Sequence, residues 1–301
     1  MTTLIDRIDT LLWTALPIEN EEDLLSIFEK SNTANFDKEK FEKDFYLTIL
    51  LQRISINIPE ITFKGGTCLN KVYYPYFRLS EDLDFSISIE DPLVNTNGKR
   101  EKFAQHLREK MKKVCKIMNR KLNADEYHHK RAQGNHFLKT KEYTYLKYVI
   151  SYTSMFSQQQ QTIKIEVTYT SKQYLPSTTW TVHAVFIDPI LEEPIFDEMS
   201  ITCLSLEEMM AEKMRAALTR QLPAIRDFFD IWYMQQQGFD FVSIQDLIAH
   251  KVAESESGYT IDDHYDALKI QIANDLDPVL WKKYPDFDFD QIFNFVLSFK
   301  H

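Results

Sequence analysis

The cleanest alternation of apolar and polar residues lies at Asp82 to Glu90. There Leu83, Phe85, Ile87 and Ile89 share one face, and Asp82, Asp84, Ser86 and Ser88 share the other, which predicts a half-buried strand. Thr144 to Thr153, Thr162 to Tyr169 and Thr178 to Ile187 also read as strands, being rich in β-branched and aromatic residues. In the second of these, Ile163, Ile165, Val167 and Tyr169 face one way, leaving Lys164, Glu166 and Thr168 on the other side. Between Ile61 and Tyr73 the pattern is strand, Gly65-Gly66 turn, short helix.

Helical spacing accounts for most of the remainder. Residues 1–58 read as three helical pieces: Leu4 to Ala15, then Asn20 to Lys30 with Asn20 as N-cap, then Asp37 to Asn57. Lys99 to Leu122 has an inward stripe of Phe103, Leu107, Met111, Val114 and Met118. Beyond a proline-bearing loop at Asp188 to Met199, Ser205-Leu-Glu-Glu208 fits a capping box opening a helix to about Arg220. Pro223 suits the first turn of the next, whose apolar face is Ile225, Phe228, Phe229 and Trp232. Helical stretches continue around Leu247, Leu268 to Ile272 and Ile292 to Phe299. The pattern predicts an α+β chain: a helical segment at 1–58 packed on a sheet-containing core lobe at 59–190, then a helical lobe at 191–301.

Composition narrows this picture. The 301 residues are 44% hydrophobic and 13% aromatic with six glycines, enough for a substantial ordered core. No apolar run approaches the roughly 20 residues of a membrane helix, and the start lacks a basic signal-peptide head, so a cytoplasmic protein without membrane contact is expected. Cys68, Cys115 and Cys203 are odd in number and widely spaced, which supports neither a disulfide framework nor a zinc site and makes them small core residues. The net charge of −10 conceals a split: Lys99 to Lys147 carries 15 Lys/Arg against 5 Asp/Glu, leaving −20 elsewhere. Such a region is either a solvated helix face or a local attraction for a polyanion. His128, His129 and His136 fall within it, but adjacent histidines point apart on most backbones, so they read as a polar loop.

The candidate chemistry starts from Asp82 and Asp84. Two carboxylates aimed the same way from one strand repel each other unless a cation lies between them, which suggests a hard divalent metal. Gly65 and Gly66 let the backbone turn tightly, and the helix start behind them offers N–H groups to phosphate. A phosphate cradle beside a two-carboxylate metal site is what nucleotidyl transfer requires.

Gly65-Gly66-Thr67-x3-Lys71 followed by Arg78-x-Ser80-x-Asp82-x-Asp84-Phe85 resembles the first motif of the AbiEii/AbiGii toxin family of nucleotidyltransferases, within the DNA polymerase β-like superfamily. Glu212-Lys213-Met-Arg-Ala-Ala is similar to its third motif and Arg226-Asp227-x-x-Asp230 to its fourth. The resemblance implies a nucleotidyltransferase-like mixed-sheet lobe with flanking helices, followed by a mostly helical lobe, and one site between the two lobes. Asp82 and Asp84 would hold one or two magnesium ions against an NTP, with Glu166 as a third carboxylate or proton acceptor, a strand glutamate where aspartate is commoner. Gly65, Gly66, Thr67 and Ser80 would cradle the phosphates, Lys213 would contact them, and Lys71 and Arg78 would meet phosphate too, unless Arg78 braces the loop. Asp227 would be an active-site acid of the second lobe and Asp230 would orient its neighbours. The implied function is a toxin that adds nucleotides to an RNA acceptor such as the tRNA 3′ end, held in check by a cognate antitoxin. Transfer to a small-molecule or protein hydroxyl, and an inactive nucleotide-binding partner protein, stay open. Tyr127, Tyr143, Tyr145 and Tyr148 read either as sheet residues or as stacking platforms for unpaired bases.

Overall fold

The computed structural model describes residues 21–117, 122–123, 145–170, 173–255 and 258–300. Two compact units emerge, one from the described parts of 1–173 and 177–203, the other from those of 174–176 and 204–301. The first expected helix, Leu4 to Ala15, the Asn20 cap, Met118 and the three histidines at 128, 129 and 136 lie outside the described residues.

The first unit opens with α1 (Glu21–Ser31) and α2 (Lys38–Asn57). Asp37 starts α2 by accepting the Lys40 N–H at 3.0 Å, and the chain leaves the helix at Ile58-Pro59, a pairing that disfavours another helical turn. α2 is buried on more than its apolar stripe. Glu42 and Asp44 are enclosed with Phe41 and Phe45, so both acids must find partners inside the protein. Glu42 accepts Ser154 Oγ at 2.7 Å and the Met155 N–H at 2.9 Å.

Among the described residues seven strands make one mixed sheet in the order β3-β4-β5-β2-β1-β7-β6. They are β1 (Thr62–Lys64), β2 (Asp82–Ser88), β3 (Leu122–Asn123), β4 (Tyr145–Thr153), β5 (Gln160–Thr170), β6 (Thr178–Val182) and β7 (Met199–Cys203). β2 runs parallel to β5 and antiparallel to β1. Phe63, Phe85, Leu83, Ile165, Val167 and Tyr148 meet on one face by register and are all buried. That burial occupies Tyr148, which is therefore a sheet residue. Helix α4 (Asn97–Ile117) lies against this apolar face: Tyr169 donates to the Arg100 carbonyl at 3.3 Å, and Phe103, Leu107, Met111 and Val114 turn inward. Between β1 and β2 a four-residue helix, α3 (Gly65–Cys68), runs into a π turn at Leu69–Tyr73.

Two sheet expectations change. β6 stops at Val182 instead of Ile187 because the following backbone is claimed elsewhere. His183 donates to the Lys71 carbonyl at 2.7 Å and Ile187 to Ser31 Oγ at 2.9 Å, while Phe186 enters a cluster with Phe28, Phe41, Phe45 and Phe196. β7 has no strand signature of its own in the sequence pattern. It forms by pairing with β1 and β6, so the division between units falls after Cys203, past the Asp188 to Met199 loop. All three cysteines are free and buried.

The second unit holds α5 (Leu206–Thr219), α6 (Ile225–Gln236), α7 (Gln245–Ala253), α8 (Tyr265–Asp275), α9 (Pro278–Lys283) and α10 (Phe289–Leu297). Phe228 and Phe229 of α6 pack on Phe293 and Phe287. Ser205 caps α5 by accepting the Glu208 N–H at 3.2 Å, half of the expected box. The Glu208 carboxylate turns away to accept the Tyr174 and Leu175 N–H groups at 3.3 and 3.0 Å, and pairs with Lys251 at 2.5 Å. Pro223 precedes α6 instead of opening it, and its carbonyl accepts from Gln271 at 2.9 Å.

Candidate active site

In the first unit the site is built on a turn that favours glycine. Gly65 follows β1 with φ of +79°, a conformation costly for any L side chain. Its register neighbour explains the second demand: Lys64 pairs with Asp84, and a Cβ on Gly65 would stand 2.4 Å from Asp84 Oδ2. A Cβ on Gly66 would stand 2.7 Å from Arg78 Nη2 and 3.0 Å from Ser80 Oγ. The two missing side chains thus make room for a carboxylate on one side and for Arg78 and Ser80 on the other. Thr67 Oγ1 donates a short hydrogen bond to the Asp82 carbonyl, tying the helix start to the start of β2. Gly65, Gly66, Thr67, Arg78, Ser80, Asp82 and Asp84 are brought together around one corner.

Thr67 and Arg78 of this corner, and Lys71 beyond it, are placed differently from a simple phosphate cradle. Thr67 is fully buried with its hydroxyl engaged by the strand. Arg78 is buried and donates to the Leu79 carbonyl at 2.8 Å, bracing its own loop. Lys71 is enclosed at 0% exposure within the π turn, where its ammonium donates to Asp44 and Thr48 at 2.9 Å and to Tyr76 at 3.1 Å. Burial pushes Lys71 below the ordinary lysine range, with Asp44 opposing that shift. The expectation that Lys71 meets phosphate is therefore corrected: it fastens the turn to α2. Tyr76 donates to Asp44 at 3.0 Å, and burial together with that carboxylate raises its hydroxyl well above the usual tyrosine range.

Register carries the row of charge across the sheet. Asp84 stands beside Glu166 on β5, and Glu166 beside Lys147 on β4, so Lys64, Asp84, Glu166 and Lys147 share one face. One step along, Asp82 stands beside Lys164. Glu166 pairs with Lys147 at 3.5 Å. Among the described residues no three His, Cys, Asp or Glu side chains are grouped to hold a metal. Asp82 and Asp84 nevertheless suit magnesium, which binds through one or two carboxylates and completes its shell with water and phosphate oxygens. Both are half-buried on one strand face.

The second unit gathers the other two motifs. Lys213 of α5 reaches Asp227 at 2.9 Å and Asp230 at 2.7 Å, the two acids lying one helical turn apart on α6. Asp230 is fully buried, and Asp227 also accepts Arg220 at 2.8 Å. Lys213, with its side chain 12% exposed, is thus held by two carboxylates.

Sequence reading missed Asp44, Thr48 and Tyr76 around Lys71, Arg220 beside Asp227, and the flanking Lys64 and Lys147. Asp44 had one signal, an acid set among the apolar positions of α2. Arg220 had none beyond its nearness in sequence.

A family model described as nucleotidyl transferase AbiEii toxin, type IV toxin–antitoxin system, matches residues 49–294 and so spans every motif above. No curated protein gives a match. Among solved structures, JHP933 from Helicobacter pylori is 14% identical, with 88% of this chain and 92% of that one covered at a TM-score of 0.47. A second H. pylori structure, described provisionally as a nucleotidyltransferase, is 15% identical, with 88% and 94% covered at 0.46.

Proposed function

The chain belongs to the AbiEii family of nucleotidyl transferase toxins of type IV toxin–antitoxin systems, and from that membership we propose a magnesium-dependent transfer of a nucleotide from an NTP to an RNA acceptor such as the tRNA 3′ end. The observation that supports this most is the register of β2 against β1 and β5, with Asp82, Asp84 and Glu166 on one face beside a glycine corner shaped around Asp84. Asp82 and Asp84 would hold the metal, which when bound neutralises phosphate charge and favours in-line displacement.

The protein's own groups do the rest. Gly65 and Gly66 leave the backbone open to close approach by phosphate, and Ser80 adds a hydroxyl beside the corner. Glu166 stands next to Asp84 where it can accept the proton of an attacking hydroxyl, its carboxylate steadied by Lys147. Within the second unit Asp230 keeps Lys213 pointed at Asp227, and Lys213 can exchange one of these two acids for a phosphate oxygen. The acceptor assignment draws on the basic stretch from Lys99 to Lys147, and the family's toxin–antitoxin setting implies a cognate antitoxin. No helix among the described residues is long and apolar enough to cross a membrane, which is compatible with action in the cytoplasm.

The test is incorporation of each labelled NTP into total tRNA with magnesium. Asp82→Asn and Asp84→Asn should each lower it by at least about a hundredfold, the scale of losing one key electrostatic group in an active site. Undiminished transfer by both variants would remove the metal role.

A further inference from the structure

We propose that Lys164, on the carboxylate face of the sheet, holds the phosphate chain that enters beside Asp82 and Asp84; this rests on the proposed metal-binding role of that pair. The sequence leaves the basic stretch from Lys99 to Lys147 open between a solvated helix face and a surface for a polyanion, and on α4 Lys112, Lys113 and Lys116 are all exposed. The structure puts the sheet in between. α4 covers the apolar face through Tyr169 and its inward stripe, whereas Asp82, Asp84 and Glu166 open on the opposite face.

An anion approaching three carboxylates is repelled unless cations stand within a few ångströms. On this face Lys64, Lys147 and Lys164 match Asp82, Asp84 and Glu166 one for one by register. Cross-strand pairing of opposite charges alone would explain Lys147, which reaches Glu166 at 3.5 Å. It does not explain Lys164. That side chain is exposed, stands in register beside Asp82, and forms no ion pair among the described residues. A lysine whose ammonium forms no ion pair among the described residues, one strand from the proposed metal ligand, is placed to take a phosphate oxygen as a point charge. The phosphate chain is either the triphosphate of the NTP or the backbone of the acceptor RNA, and the two are separable.

The experiment uses the full chain and two probes. A fluorescein-labelled tRNA pool is titrated across a range of salt without added metal, and KM for each of ATP, GTP, CTP and UTP is measured with magnesium. Lys164→Gln should weaken tRNA binding about threefold to tenfold and lower the log–log salt slope by about 0.7, with Lys164→Arg restoring both and Tm unchanged. A raised NTP KM with an unaltered tRNA slope would assign Lys164 to the triphosphate instead. The proposal is overturned if Lys164→Gln changes neither quantity, or if only Lys112→Gln/Lys113→Gln/Lys116→Gln does. Because the tRNA arm needs no turnover, persistent transfer by Asp82→Asn and Asp84→Asn would sink the catalytic reading without altering this readout.

Discussion

A single methyl group on Gly65 would face both a left-handed backbone and the carboxylate of Asp84 2.4 Å away. The backbone alone costs about 1–2 kcal/mol for an L residue, and relieving the clash requires Asp84 to move. Gly65→Ala is therefore expected to lower stability by about that amount and to depress nucleotide transfer much more than the stability change predicts. Urea denaturation beside incorporation assays checks this. Gly98 provides the contrast, with nothing within 4 Å of its Cβ position inside α4, so Gly98→Ala should stabilise by about 0.5 kcal/mol and leave transfer alone. The diglycine corner was legible in the sequence because two glycines between a strand and a helix mark a backbone turn too tight for side chains. What the corner admits was not, since Asp84 reaches it only through the pairing of β1 with β2.

The strands that alternate cleanly were the readable elements. β2, β4 and β5 fall close to their expected spans because each buries one face and the period of two leaves no other register. β7 escaped notice because its five residues become a strand only with β1 on one side and β6 on the other. Lys71 misled for a related reason: a lysine close behind a glycine turn looks like a phosphate ligand until Asp44 arrives from α2. With both partners at 0% exposure, Lys71→Met should cost about 3–5 kcal/mol by leaving Asp44 charged and unpaired in the interior. Adding Asp44→Asn should recover a large part of that loss in urea denaturation. If the double variant is as unstable as the single one, the cost comes from packing and the ion pair does not fasten the turn.

At the scale of the whole chain, the −10 net charge conceals a basic stretch and an acidic remainder, and the sequence shows that asymmetry plainly. Which side of a sheet the basic helix occupies is a property of packing, so it could not be read in advance. The division into units is likewise a tertiary matter. Residues Tyr174–Pro176 leave the first unit, join the second, and return before β6 begins. Their attachment is concrete: the Glu208 carboxylate accepts two of their N–H groups and is itself held by Lys251. Polypeptides 1–203 and 204–301 produced together should therefore co-elute in size-exclusion chromatography, and Glu208→Ala in the second should release them. Separation with Glu208 intact would deny the loop this anchoring part. The backbone passes between the units three times, after Gln173, Pro176 and Cys203, so they are stitched where a simple tandem would have one seam. Recombination that swapped one half at a single breakpoint would strand three residues in a foreign body, which favours inheritance of the two halves as a matched set.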